Sequence, residues 1–248
     1  MPSSVNAFSR GAARYARDAL LQQAVAWRLA HHCSDLGLGP GPVLDLGAGS
    51  GNLSRALEQQ RVGVHPLLVD NCAALLAEAG FPPERKKLWD LNLGLPPGGA
   101  GASLLLSSFA LHWLRQPAQQ LRHWAMSLAP YGWLAVAVPV DGSLSSWHQA
   151  ATAAGVRCSA LLLPKTEELL AGIAGKTSIE RQQLLSFSCR YKNPLEFLRE
   201  LRHLGVHGGA RHQPSPAELR QLLRHWPLAA DGSAVLRWKL LVVLARRR

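Results

Sequence analysis

Apolar positions along the chain follow two rhythms. From Val5 to His32, Ala7, Gly11, Tyr15, Leu20, Ala24, Trp27 and Ala30 fall on or near one stripe at helical spacing, with Arg10, Arg14, Arg17 and Arg28 between them, which predicts a helix. Gly37-Leu-Gly-Pro-Gly-Pro42 ends it, because Gly and Pro do not continue a helix. Val43-Leu-Asp-Leu46 is a short apolar run closed by glycines, the pattern of a buried parallel strand. Further strands are predicted at 65–70, 86–90, 103–109 and 133–138, with helices at 54–61, 73–79 and 121–128 between them. Strand and helix in alternation predict an α/β fold built on a doubly wound, mostly parallel sheet. After Val140 the rhythm changes. Helices are predicted at 146–154, 165–174, 195–204 and 215–225, with strands at 184–191 and 235–245. Helices set between the late strands predict a cap over the C-terminal edge of the sheet. No repeat or low-complexity linker divides the chain, so one domain is expected over 1–248. It would comprise an N-terminal helical segment (1–36), a core (42–140), a cap with a late strand (141–230), and a last strand with a basic tail (231–248).

Composition narrows the class. The 248 residues are 48% hydrophobic and 17% charged, which excludes a disordered or collagen-like chain. No apolar run approaches the ~20 residues that span a bilayer, and Met1–Gly11 has no apolar signal core, so a cytoplasmic protein with no membrane partner is expected. Cys33, Cys72, Cys158 and Cys189 are scattered, and His31-His32-Cys33 presents adjacent rather than convergent groups; no metal is expected. The formal net charge is +11, and 21 of the 27 basic residues are Arg. Such a balance suits either an anionic partner or a codon-biased, merely soluble surface.

The most informative segment is Val43-Leu-Asp-Leu-Gly-Ala-Gly-Ser-Gly51, a strand running into a glycine turn and then a helix. Glycine lets backbone approach a ligand closely. The spacing differs from the GxGxxG of dinucleotide sites and lacks the Lys-Ser/Thr of a triphosphate loop. Asp45 precedes the glycines, Asp70 ends the next strand and Asp90 the third. This pattern resembles the class I S-adenosylmethionine-dependent methyltransferases, whose Rossmann-like fold has a seven-stranded, mostly parallel sheet with helices on both faces. The resemblance makes 42–140 the cofactor-binding core and S-adenosyl-L-methionine the cofactor. It implies that Gly47, Gly49 and Gly51 shape the turn, that Asp70 binds the ribose, that Asp90 with Leu91 binds the adenine, and that Asp45, Ala48, Asn71 and Ser107 belong to the same cofactor site.

The flanks narrow the family. Phe8-Ser-Arg-Gly-Ala-Ala-Arg-Tyr15, Ser107-Ser-Phe-Ala-Leu-His-Trp113, Pro130–Leu144, Leu201–His207 and Leu219–Pro227 resemble, in order and spacing, landmarks of the malonyl-acyl-carrier-protein O-methyltransferases of biotin synthesis. Three positions depart from that pattern: Ala102-Ser103 stands where many relatives carry Phe-Asp, Ser50 where Pro is frequent, and the loop before Asp70 is slightly long.

The implied reaction methylates the free carboxylate of a malonyl thioester on acyl carrier protein. That carboxylate is ionised at neutral pH, since model carboxyl pKa values are about 4, so no general base is nominated. Burying it unpaired would cost several kcal/mol, so a clamp is needed. Arg10, Arg14, Tyr15, His148, Arg202 and Arg211 are the candidates, although most such arginines are simply solvated. Trp113, Trp147 and Trp226 read as core residues before site walls. His112 and His123, beside apolar runs, read as structural histidines. Rival readings are another small-molecule methyltransferase (quinone precursor, or a free acid such as aconitate), an RNA methyltransferase, and a non-catalytic cofactor-binding protein. No Asn-Pro-Pro-aromatic or Pro-Cys motif and no basic-aromatic stripe is present, so no nucleic-acid partner is expected. The charge is uneven, with a net of +2 over residues 1–149 and +9 over 150–248. A basic cap suits an acidic acyl carrier protein, with Arg199, Arg202 and Arg220 as expected contacts. Oligomeric state is not legible.

Overall fold

A computed structural model describes residues 2–204 and 213–248. Seven strands form one sheet: β1 (Val43–Leu46), β2 (Leu67–Asp70), β3 (Lys86–Leu88), β4 (Ala102–Ser108), β5 (Leu128–Pro139), β6 (Thr177–Tyr191) and β7 (Ala234–Arg247), in the order β3-β2-β1-β4-β5-β7-β6. All neighbouring pairs are parallel except those of β7, which runs antiparallel to β5 and β6. The order reverses between β1 and β4, and open α/β sheets bind ligands in the crevice at such a switch point.

Strand alternation sorts the core into two layers. Leu105, Val136, Val138, Leu241 and Val243 face one side, where they meet Leu121 and Trp124 of α5 (Pro117–Ser127) and Leu169 and Ile173 of α7 (Thr166–Ile173). Leu104, Leu106, Ala135, Ala137, Leu240 and Val242 face the other. There they meet Val25 and Leu29 of α2 (Leu20–Cys33) and Leu53 and Leu57 of α3 (Asn52–Gln60). A third cluster lies apart and forms the cap. It unites Trp147 of α6 (Ser145–Ala153), Phe197 of α8 (Pro194–His203), and Leu222 of α9 (Pro216–Arg224) with Trp226 and Leu236.

Besides shifts at element ends, such as β3 stopping at Leu88 and β5 starting at Leu128, the elements depart from expectation in three places. The N-terminal helix is two helices. α1 (Pro2–Asp18) and α2 are separated at Ala19, a buried residue with φ −75° and ψ 62°. The break rotates the apolar face, so Leu20 (70% exposed) and Trp27 (51%) leave the stripe, and α2 buries Val25, Ala26, Leu29, Ala30 and Cys33. α1 instead packs Phe8, Ala12 and Tyr15 on Cys72 and on Leu75 of α4 (Ala73–Glu78). Second, α7 covers the sheet beside α5 rather than joining the cap, because Leu169 and Ile173 complete the α5 layer. Third, β6 begins at Thr177 rather than 184. Its exposed Glu180-Arg-Gln182 obscures a strand that pairs with β7 from Thr177↔Arg247 to Tyr191↔Ala234. No helix among the described residues is long and apolar enough to cross a membrane.

Candidate active site

The first cavity lies over the C-terminal ends of β1, β2 and β4. β1 delivers its chain into the turn Gly47–Gly51, which doubles back on β2, with Gly47 N and Ala48 N both donating to Val69 O (2.7 and 3.0 Å). Gly47 has φ 74°, and a Cβ there would sit 2.1 Å from Ala110 Cβ, so no other residue fits. Gly49 (φ 54°) turns its N–H to Asp70 Oδ2 at 2.8 Å. Asp70 Oδ1 accepts from Cys72 N, also at 2.8 Å. A carboxylate has about four lone-pair positions, so Asp70, which lines the cavity, keeps acceptor capacity for a ligand. Burial raises its pKa above the usual carboxylate range against the pull of these N–H groups.

Asp45 lines the same cavity at 1% exposure and accepts from Ser54 N (3.1 Å) and Ser54 Oγ (2.8 Å) through Oδ2. Burial, with Asp70 nearby as a lesser cause, pushes its pKa up to about 7. α1 closes the cavity with Phe8 and Tyr15, whose rings meet edge-on at 5.8 Å, and Phe8 stands edge-on to Trp113 at 5.2 Å. Burial and the neighbouring Asp70 raise the Tyr15 pKa, so its phenol stays protonated. Trp89, Leu91 and Asn92 form the far wall. Among the described residues the lining holds two carboxylates and no Lys or Arg. It suits a ligand with positive charge, hydroxyl groups and a flat ring system.

The second cavity, about 410 Å³, lies under the cap. Leu144, Trp147, Leu161, Leu163, Leu198 and Trp238 are among its largely apolar walls. Among the described residues its charged linings are Arg10 of α1 and Arg199 and Arg202 of α8, all exposed, and no carboxylate lines it. The short turn Leu111–Trp113 after β4 divides the two chambers, with Trp113 lining the first and His112 the second. Phe109, at the head of this turn, holds φ 54°, uncommon for a bulky residue. Its N–H is tied to Ala137 O (2.9 Å), and its ring lies edge-on to Trp238 at 6.3 Å.

A family model described as a methyltransferase domain matches residues 14–232. The chain belongs to this methyltransferase family. It is 30% identical over 234 residues to the biotin biosynthesis bifunctional protein BioCD of Bordetella avium, covering 88% of this chain and 47% of that protein, so it spans about half that relative's length. It is 25% identical to trans-aconitate 2-methyltransferase of Delftia acidovorans (83% of this chain, 87% of the relative). It is 28% identical to malonyl-[acyl-carrier protein] O-methyltransferase of Magnetococcus marinus (86% and 81%). Among solved structures, the YcgJ protein of Bacillus subtilis superposes with a TM-score of 0.62 at 15% identity over 91% of this chain and 99% of that one. The fold is therefore the α/β Rossmann-like fold of class I methyltransferases, as the glycine turn implied.

Within this methyltransferase, the residues singled out from the sequence separate clearly. Asp45, Gly47, Ala48, Gly49, Asp70, Asn71 and Leu91 line the first cavity. Three others do not. Gly51 is the left-handed N-cap of α3 and is buried behind the turn. Asp90 follows β3, and its Oδ1 accepts from Asn92 N (2.9 Å) and Asn92 Nδ2 (2.7 Å), so it braces its own turn. Ser107 is fully buried and donates to Leu46 O at 2.8 Å; the next residue, Ser108, lines the cavity in its place. Of the clamp candidates, Tyr15 lines the first cavity and Arg10 and Arg202 the second. Arg14 and His148 are exposed and line neither, and Arg211 lies outside the described residues. Trp113 and Trp147, read as core, are cavity walls; Trp226 is a core residue of the cap. Sequence reasoning missed Phe8, Trp89, Asn92 and Phe109 as lining residues. Only Phe8 carried a signal, since it sits seven residues before Tyr15 on one helix face.

Proposed function

We propose that this chain transfers a methyl group from S-adenosyl-L-methionine to the free carboxylate of a malonyl thioester on acyl carrier protein, an early step of biotin synthesis. The observation that carries this reading is the charge division between adjoining chambers: carboxylates without cations in one, arginines without carboxylates in the other. S-adenosylmethionine supplies an electrophilic methyl on a positively charged sulfur, together with an ammonium, a ribose and an adenine. In this reading Asp70 accepts from ribose hydroxyls, Trp89 and Leu91 flank the base, and Asp45 complements the positive charge. The acceptor carboxylate is ionised at neutral pH, so the chain holds no proton for it and needs no general base. What the chain provides is orientation, worth up to about 7–11 kcal/mol in favourable systems, and a chamber roofed by Phe8, Tyr15 and Trp113.

Two features favour a carrier-bound acceptor over a free acid. The second cavity is mostly leucine and tryptophan, a poor fit for a small polyanion but a suitable one for a thioester arm. Its arginines are exposed at the solvent side, where an acidic carrier protein can meet them. The similarity to a trans-aconitate methyltransferase supports the second reading, methylation of a free carboxylic acid. The test incubates purified protein and S-adenosylmethionine with malonyl-carrier protein and with free trans-aconitate, and follows methyl esters by mass spectrometry. Methyl ester on the carrier protein is expected; ester on aconitate alone overturns the proposal.

A further inference from the structure

The turn that divides the chambers contains a group the reaction outlined above does not use. His112 is 7% exposed, and its ring lines the second cavity. Its Nδ1 is sealed from solvent and has no hydrogen-bond partner, which leaves Nε2 as the ring nitrogen that can face the cavity. Buried polar atoms are ordinarily satisfied, and one that is not calls for an explanation. The ring lies against two aromatic neighbours, with Phe109 edge-on at 6.4 Å and Trp113 tilted at 5.1 Å. Both neighbours line the first cavity, so His112 marks the end of the second cavity nearest to it. Trp147 Nε1 is a second unpartnered ring nitrogen on a cavity-lining side chain, but Trp147 is packed into the cap against Phe197 and Trp226.

We propose that His112 binds the acceptor, donating its Nε2–H to the carboxylate oxygen that is not methylated and so fixing the other oxygen toward the first chamber. The idea rests on reading the second cavity as the acceptor site. A neutral imidazole has one donor nitrogen, and burial drives the His112 pKa down to about 3, so the ring is neutral throughout the working range. A neutral donor suits this position. It orients the anion without the full charge of a guanidinium, which would hold back the lone pair that must reach the methyl carbon. The three arginines of the same cavity are left for the distal part of the substrate.

The test measures binding to full-length protein saturated with S-adenosylhomocysteine, using octanoate, octanol and malonyl-carrier protein as probes, for wild type, His112→Phe and His112→Gln. A hydrogen bond to a charged group is worth about tenfold or more in affinity. Octanoate and malonyl-carrier protein should each weaken about tenfold or more in His112→Phe, octanol less than twofold, and S-adenosylhomocysteine not at all. His112→Gln, which restores a side-chain N–H, should recover most of the loss and cover the case in which His112→Phe fails to fold. Equal losses for octanoate and octanol, or equal losses in both variants, would show a packing role and overturn the proposal, as would failure of wild type to bind either carboxylate. If octanoate binding depends on His112 while malonyl-carrier protein is not methylated, the substrate assignment falls and the role of His112 stands.

Discussion

The two chambers on either side of the Leu111–Trp113 turn are built in opposite ways. The first is local. A single strand–turn–helix unit, from Val43 to Gln60, supplies its floor and one of its carboxylates, the end of β2 supplies the other, and α1, α2 and the segments after β3 and β4 complete the walls. Its charge is carried by two buried carboxylates whose backbone partners are fixed. The second is assembled from α1, α6, α8, α9, β7 and the loop before α7, and its charge is carried by three exposed guanidinium groups on flexible stems. Buried, preorganised charge discriminates strongly, because the surrounding protein cannot rearrange to serve another ligand. Exposed charge mainly speeds encounter and is screened by salt. The comparison teaches that this enzyme should be exacting about its methyl donor and adaptable about what carries the acceptor.

Four measurements would break or sharpen that contrast, in falling order of effect. Asp70→Asn keeps the shape but replaces one acceptor oxygen with an amide and removes the charge. Loss of a charged hydrogen bond, about 1.5–3 kcal/mol, should weaken S-adenosylmethionine binding roughly 10–100-fold. Calorimetry that finds unchanged affinity would remove Asp70 from the donor site. Reversing Arg10, Arg199 and Arg202 together to Glu should weaken carrier-protein binding about tenfold at low salt, with the difference shrinking as ionic strength rises. Cofactor affinity in this triple variant should stay at the wild-type value.

Asp45 gives the third, through pH. Its carboxyl is protonated well below pH 7 and ionised well above it, so affinity for a positively charged donor should rise severalfold from pH 6 to pH 8 and then level. Because the folded pKa is raised, Asp45 also costs stability as pH climbs from about 4 to about 7, and the melting temperature should fall slightly over that interval. Asp45→Asn should flatten the affinity profile; a slope that survives belongs to another group. The smallest effect is expected from Arg220→Glu. Arg220 is exposed on α9 and lines neither chamber, so carrier binding should change by less than about twofold, as for other isolated surface charges. A loss matching that of the cavity arginines would extend the docking face over α9.

The contrast also explains what could be read from the sequence. The floor of the first chamber was legible because its residues are contiguous. Val43–Gly51 encodes strand, turn and helix start in order, and Asp70 ends a strand whose apolar run is plain. The errors there are errors of phase. Ser107 and Ser108 are both serines at a strand end, and only the register of β4 decides that Ser107 points to Leu46 O and Ser108 to the cavity. Asp90 was misplaced because β3 stops at Leu88, which frees the chain to turn the carboxylate onto Asn92. The second chamber was hardly legible. Leu144, Leu161, Leu198 and Leu222 come from separate elements and look like ordinary core residues until the fold gathers them. His112 shows the same limit. Its apolar neighbours suggested a satisfied structural histidine, and only the packing reveals that its Nδ1 has no partner.

The most direct test of the paired-chamber account is a competition for methyl transfer. Purified protein receives S-adenosylmethionine and an equimolar mixture of malonyl-carrier protein, trans-aconitate and a neutral quinol, and the methylated products are quantified. The account predicts the carrier-bound methyl ester as the main product, with its yield falling as salt is raised. Preferential methylation of the neutral quinol would contradict it, because an acceptor without negative charge has no use for the three arginines of the second chamber.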